Sequence, residues 1–123
     1  MIGKIYKART PFYKQATHQM SFKARPALVL AKADYNDYVV LPVSTIPNKN
    51  NIDPVYDLKI DPVLYPKLNL SQVSYVRTHK QTIVHRSDLG DEIGNLKFEY
   101  EELYIEILAK REAFSNLITQ QAM

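Results

Sequence analysis

The sequence contains no cysteine, which excludes disulfides and thiolate chemistry and fits a reducing compartment. Glycine occurs only as Gly3, Gly90 and Gly94, too few and too scattered for a phosphate-wrapping glycine loop. Neither an HExxH pattern nor a Cys/His cluster is available to hold zinc. Every apolar run falls short of the roughly 18 residues of a membrane span. The opening MIGKIYKAR lacks the apolar centre and small-residue cleavage site of a secretory signal. There is no internal repeat and no low-complexity tract. These absences lead us to expect a soluble, cytoplasmic chain with no membrane partner, no cofactor and no metal.

What is present is a globular composition, 46% apolar and 24% charged over 123 residues, which suits a single domain spanning 1–123. A chain of this length buries roughly two thirds of its unfolded surface. There is room for one core and one cleft. The net charge is +3, but residues 1–87 carry 13 Lys and Arg against 5 Asp, whereas residues 88–123 carry 3 against 8 Asp and Glu. A basic body with an acidic tail concentrates polyanions around the former, which makes nucleic acid a reasonable partner.

GKIYKA (3–8) reads as a first strand centred on Ile5. The stretch 9–24 mixes Pro, Ser, Thr and basic residues without periodicity, and reads as a long, substrate-facing loop. RPALVLAK and YVVLPVS, joined by ADYND, form a hairpin whose second strand is expected to reach an edge or a bulge at Pro42. TIPNKNNIDP (45–54) is a polar loop that supplies Lys49. VYDLKI (55–60) and two stretches within 71–85 add further strands. SDLGDEIG suits one helical turn with Ser87 as its cap and Gly94 as its stop, and Asn95 then caps a final helix. In that helix Tyr100, Leu103, Tyr104, Ile107, Leu108, Phe114, Leu117 and Ile118 make one apolar stripe. The pattern predicts a mainly β (α+β) protein: a small, strongly bent sheet or barrel with a short helix, closed by a C-terminal helix.

GKIY, RPALVL after a polar stretch, PVST, SYVRTHKQTIVH and IGNL before a C-terminal helix follow one another in an order and spacing that resembles the PemK/MazF family of bacterial toxins. The likeness runs nearly end to end. It implies an SH3-like barrel of the CcdB/PemK/MazF kind, a homodimer, and the toxin of a type II toxin–antitoxin system. The activity implied is a ribosome-independent, sequence-specific endoribonuclease that cuts single-stranded RNA and arrests translation and growth. The partner implied is a cognate PemI/MazE-like antitoxin that blocks the RNA groove.

Metal-free RNA cleavage needs a base for the 2′-hydroxyl proton, an acid for the leaving 5′-oxygen, and donors for the phosphorane. Arg25 suits the last task, since its planar fork holds two phosphate oxygens and stays charged at any physiological pH. The resemblance sets Ser44 and Thr45 where the family has a phosphate-gripping hydroxyl, in the order Ser–Thr where the family has Thr–Ser. It favours Ser44. Arg77 matches a family arginine, and His79, two residues on, stands where an Asp is common, an imidazole in place of a carboxylate base. His18, seven residues before Arg25, matches a histidine found in some members and is the second candidate for proton transfer. Lys14, Lys23, Lys49, Lys80 and Phe22 are expected along the RNA path, and in the alternative of a catalytically silent RNA-binding barrel Tyr6, Phe12, Tyr13 and Phe22 would stack bases. His85 reads as structural or exposed. Two alternatives remain on sequence grounds: a non-catalytic gyrase poison resembling CcdB, and an RNA-binding barrel without nuclease activity.

Overall fold

Strands β1 (Lys4–Lys14) and β2 (Gln19–Lys32) pair antiparallel in a computed structural model that describes all residues from Met1 to Met123. The register is unbroken from Ile5↔Leu28 to Lys14↔Gln19. Residues 9–24 are therefore not the loop expected from their composition but a projecting two-stranded ribbon. Its sequence shows no alternation because both of its faces meet solvent, so nothing selects apolar residues on one of them. A tight turn closes it: Thr17 N donates to Lys14 O at 3.3 Å and His18 N to Gln15 O at 3.4 Å, with His18 at φ 52°.

Two prolines fix the polarity of this hairpin. Pro11 lies opposite Phe22, and Pro26 lies opposite Lys7. Pairs in an antiparallel ladder alternate between hydrogen-bonded and non-bonded. A residue without an N–H fits only the latter. Both prolines fall on the same phase of the alternation, so both nitrogens point out of the hairpin.

Strand β3 (Asp37–Ser44) pairs with β2 from Lys32↔Tyr38 to Ala27↔Pro42, with one bulge between Val29 and Ala31. The expected hairpin is thus present, its turn closed by Ala33 N donating to Asp37 O at 2.8 Å. On its other side β3 changes partner. Asp37–Val40 pair with β6 (Thr82–His85), whereas Val43 and Ser44 pair with β5 (Ser74–Arg77). Pro42 sits in the gap between the two partners, where no donor is required. Strand β4 (Asp57–Ile60) flanks β5. At the opposite margin β7 (Leu89–Asn95) pairs with β1 through register shifts. The result is a curled antiparallel half-barrel in the order β4-β5-β3-β2-β1-β7, with β6 as a second neighbour of β3.

Alternation assigns each strand residue to a face. Ile5, Leu28, Leu41, Val43 and Val76 point to one side, where they pack with Leu103, Tyr104 and Ile107 into the main core. Ala8, Ala27, Val29 and Val40 form a second, smaller apolar cluster on the other side. Residues 87–94 depart from expectation. The helical turn there is a 3-10 turn at Arg86–Asp88, capped by His85 in place of Ser87, and the following residues form β7. Gly94 is not a helix stop: a Cβ there would lie 2.9 Å from Leu68 Cα, so the position admits only glycine. Asn95 does act as a cap, its side chain accepting from Phe98 N at 3.1 Å. It opens α1 (Leu96–Glu99), and Tyr100 breaks the chain before α2 (Glu101–Ala122). The predicted stripe is buried at Leu103, Tyr104 and Ile107 and fades toward the C-terminus, with Leu108 and Ile118 37% and 51% exposed.

Candidate functional site

The β2–β3 ladder stops where Pro26 stops it. Because Ala27↔Pro42 is a non-bonded pair, the next pair, Pro26 with Val43, calls for two hydrogen bonds, and Pro26 supplies only its carbonyl. Past that point the strands part. Arg25 and Ser44 come next on their respective strands, opposite one another and on the same face of the sheet. They stand at the two lips of the opening and line both cavities found there, of about 690 and 580 Å³. Thr45, one residue on, alternates away and lines only the first.

Arg77 reaches the same face from β5. Val76 points into the core, so Tyr75 and Arg77 point outward with Ser44. Arg77 lines the second cavity together with Arg25, Ser44 and Lys80. Its guanidinium is anchored from behind: Nε donates to Asp57 Oδ1 at 3.1 Å, and Nη2 donates to Asp57 Oδ2 at 3.3 Å and to Asn51 O at 3.2 Å. The Asp57 side chain is fully buried and also accepts from Asp53 N at 2.7 Å. Such a bidentate pair fixes the fork in space.

His79 lies elsewhere. Strand β5 ends at Arg77, and Thr78 and His79 form a turn held by Thr78 Oγ1 donating to Tyr56 O at 2.6 Å. The premise of an uninterrupted strand carrying Arg77 and His79 on one face therefore fails. The His79 ring packs against both Tyr56 and Phe114 of α2, each 5.9 Å away and themselves 5.0 Å apart, and lines neither cavity. Its Nδ1 is buried, without a hydrogen-bond partner, 3.8 Å from Asp57 Oδ1. His18 is at the ribbon tip, where its Nδ1 lies 3.1 Å from Tyr13 Oη. Seven residues of extended chain separate it from Arg25, roughly 20 Å.

Of the residues expected along an RNA path, Lys23 lines the first cavity and Lys80 the second. Phe22 is exposed on the ribbon beneath the Arg9 guanidinium, 3.8 Å from its ring centre, and Lys23 lies over Phe12 at 4.8 Å. Lys14 is at the ribbon tip, and Lys49 opens a 3-10 turn, Lys49–Asn51, away from both cavities. The sequence reading missed Lys7, opposite Pro26, and the wall formed by Asn69, Ser71 and Gln72. The alternation from Ile5 gives Lys7 a place on the strand, but no local signal brings 69–72 to the groove. It also missed Asp57, whose partnership with Arg77 arises only from the β4–β5 register.

No Asp or Glu occurs in residues 1–33, so the ribbon and the lip bearing Arg25 form a field of one sign. The turn behind Arg77 has the opposite character. Backbone N–H donors from Tyr56 and Val55 hold the Asp53 carboxyl below the usual aspartate range, with smaller contributions from His79 and Arg77.

A curled antiparallel half-barrel with a C-terminal helix, whose sheet opens between two arginines and a hydroxyl, defines a small, mainly β protein with a basic groove. The chain belongs to the PemK-like, MazF-like toxin family of type II toxin–antitoxin systems, whose model matches residues 2–107. Membership implies an antitoxin partner. Comparison with curated proteins found no match. No helix is long and apolar enough to cross a membrane.

Proposed function

We propose that the protein is a ribosome-independent endoribonuclease that cuts single-stranded RNA without a metal, with the groove at Arg25 as its active site. The observation that carries this reading is the placement of Arg25 and Ser44 across the opening, with Arg77 on the same face. In the reaction the 2′-oxygen attacks the adjacent phosphorus, losing its proton to a base. The 5′-oxygen leaves with a proton from an acid. A 2′,3′-cyclic phosphate and a 5′-hydroxyl result. Arg25 and Arg77 stabilise the charge of the phosphorane, and Ser44 donates to one of its oxygens.

Proton transfer falls to neither arginine. His79 bears on the groove through Asp57 and Arg77, and His18 stands roughly 20 Å from the Arg25 of its own chain. The ribbon that carries His18 projects from the sheet, so a second protomer's groove is where it acts. A homodimer with composite grooves belongs to the proposal, supported by the span that keeps His18 from the Arg25 of its own chain. The antitoxin closes the groove against RNA.

Incubation of the purified protein with a long single-stranded RNA in EDTA tests the reading. Discrete cuts bearing cyclic phosphate ends are expected. His18 and His79 lie outside the groove of one chain, and His85, which lines the second cavity, has its Nδ1 taken up by Ser87; this favours a second reading, RNA binding without cleavage. Retention of RNA with no cuts would select it.

A further inference from the structure

The two margins of the ribbon are not equivalent. Beyond Ala8, β1 has lost β7, and before Ala27, β2 has lost β3, so both margins expose unpaired backbone. On the β1 side the outward N–H groups belong to Arg9 and Tyr13, with Pro11 between them offering none. The β2 side is unbroken. There Met20, Phe22 and Ala24 follow one another, each with an N–H and a carbonyl facing out, up to Pro26. An edge of this kind is a template for one more strand. It also runs along the groove, of which Lys23, Ala24 and Arg25 form one wall.

We propose that the β2 edge from Met20 to Ala24 is a docking site for an extended peptide segment of alternating acidic and apolar residues, added as a further strand in the place that β3 vacates. On the assumption that the groove is the RNA site, this segment is how the antitoxin closes it. The edge itself selects a peptide. It alternates donors and acceptors, which a peptide backbone complements and an RNA phosphate chain, offering only acceptors, does not. Side chains set the partner's pattern. Met20 and Phe22, 62% and 51% exposed, point to one face, and Lys23 and Arg25 point to the other. Cross-strand neighbours on an added strand would then be apolar on the first face and carboxylates on the second. A second copy of the same edge is disfavoured, because it would set cations against cations.

Amide exchange of the full chain, followed by NMR with a short peptide alternating Glu and Val, tests the proposal. In the free protein the Met20, Phe22 and Ala24 amides exchange quickly, whereas those of Ser21, Lys23 and Arg25, bonded to β1, exchange slowly. The peptide slows the first set by about tenfold or more. Met20→Pro removes one outward donor without touching the β1–β2 ladder and weakens the peptide about tenfold; Met20→Ala keeps the donor and weakens it less. Three results would overturn the proposal: peptide binding that leaves these amides fast, single-stranded RNA that slows the same alternate set, or slowing in the free protein that grows with its concentration. RNA cleavage is scored separately in the same samples. Absence of cuts overturns the nuclease reading, and the alternate amides still decide the docking edge.

Discussion

Arg25 and Arg77 share a face of one sheet and one candidate task, but they are held in opposite ways. Arg25 has no carboxylate partner in the chain and owes its position to backbone alone: a ladder bond to Ala8 on one side and Pro26 on the other. Arg77 is tied to a fully buried carboxylate through two nitrogens. The difference bears on chemistry. A free guanidinium presents its whole charge to a phosphate, whereas one paired with Asp57 presents a fixed geometry with part of its charge already answered. On the proposed mechanism Arg25 would therefore carry the larger share of phosphorane stabilisation, and Arg77 would act as a rigid second donor that needs no reorganisation.

Removing the anchor should show the largest effect. Asp57→Ala leaves Arg77, its side chain only 23% exposed, without its partner and frees Asp53 N as well. Breaking a pair of this kind costs about 3 kcal/mol. Urea unfolding should register it, and a loss below about 1 kcal/mol would mean that Arg77 turns to solvent freely and is not preorganised. Arg25→Ala should do the reverse. Stability should stay within about 0.5 kcal/mol, while the rate of RNA cleavage falls roughly 10²–10³-fold. Parental cleavage by that variant would place the site elsewhere. If Arg25→Lys is as active as the parent, bidentate recognition is not what this residue contributes.

How much of this was legible beforehand follows the same division. RPALVL and PVST announce buried strands, and a proline beside an arginine is visible in the text. That Pro26 ends one ladder and so opens the groove depends on the phase of hydrogen bonding, which only pairing reveals. The ribbon has the composition of a loop because period-2 patterning arises from burial of one face, and Thr10 to Lys23 bury neither. In residues 87–94 a Ser and a Gly suggest a helical turn; their pairing with β1 is non-local, and Gly94 answers to Leu68, far away in sequence. His79 shares a face with Arg77 only if β5 runs two residues further than it does. Asp57 gave no signal, since an isolated aspartate in an alternating strand is ordinary until Arg77 is set against it.

His79 permits a sharper cut between the two regions. Its Nδ1 is buried and unpartnered, and its ring packs against the touching pair Tyr56 and Phe114. His79→Phe keeps an aromatic ring there and removes the orphaned polar atom, whose burial costs about 1–3 kcal/mol when unsatisfied. The variant should be at least as stable as the parent and should still cut RNA. If it folds and cleavage is lost, His79 takes part in proton transfer and the corner behind Arg77 is not merely a support. At the lips of the groove the contrast is finer. Ser44→Ala should slow cleavage about tenfold, the worth of one hydrogen bond, whereas Thr45→Ala, facing away from Arg25, should change it by less than about threefold. Equal effects would mean that the strand twists at Ser44 and that alternation does not assign its face.

The smallest effect concerns the turn that carries Asp57 to Arg77. Asp53 accepts from Val55 N at 2.8 Å and from Tyr56 N at 2.9 Å. Those donors favour the charged carboxylate and hold its pKa below the usual value. The sign follows directly: with the folded value depressed, the stabilisation is complete above the ordinary aspartate pKa of about 3.9 and is lost as pH falls below it through the lowered folded value. Asp53→Asn keeps an oxygen to accept from the same two N–H groups but carries no charge at any pH. Melting temperatures of parent and variant should therefore differ by a constant, small amount above about pH 5 and converge in the acid range below pH 3.9. Arg77 and His79 lie nearby and shift Asp53 in the same direction, so the comparison is best repeated in Arg77→Ala; there the convergence should persist, because backbone donors are the largest cause. A difference that does not change with pH would mean that the turn uses the shape of the Asp53 side chain and not its charge, and that the corner behind Arg77 is as indifferent to acid as the ribbon.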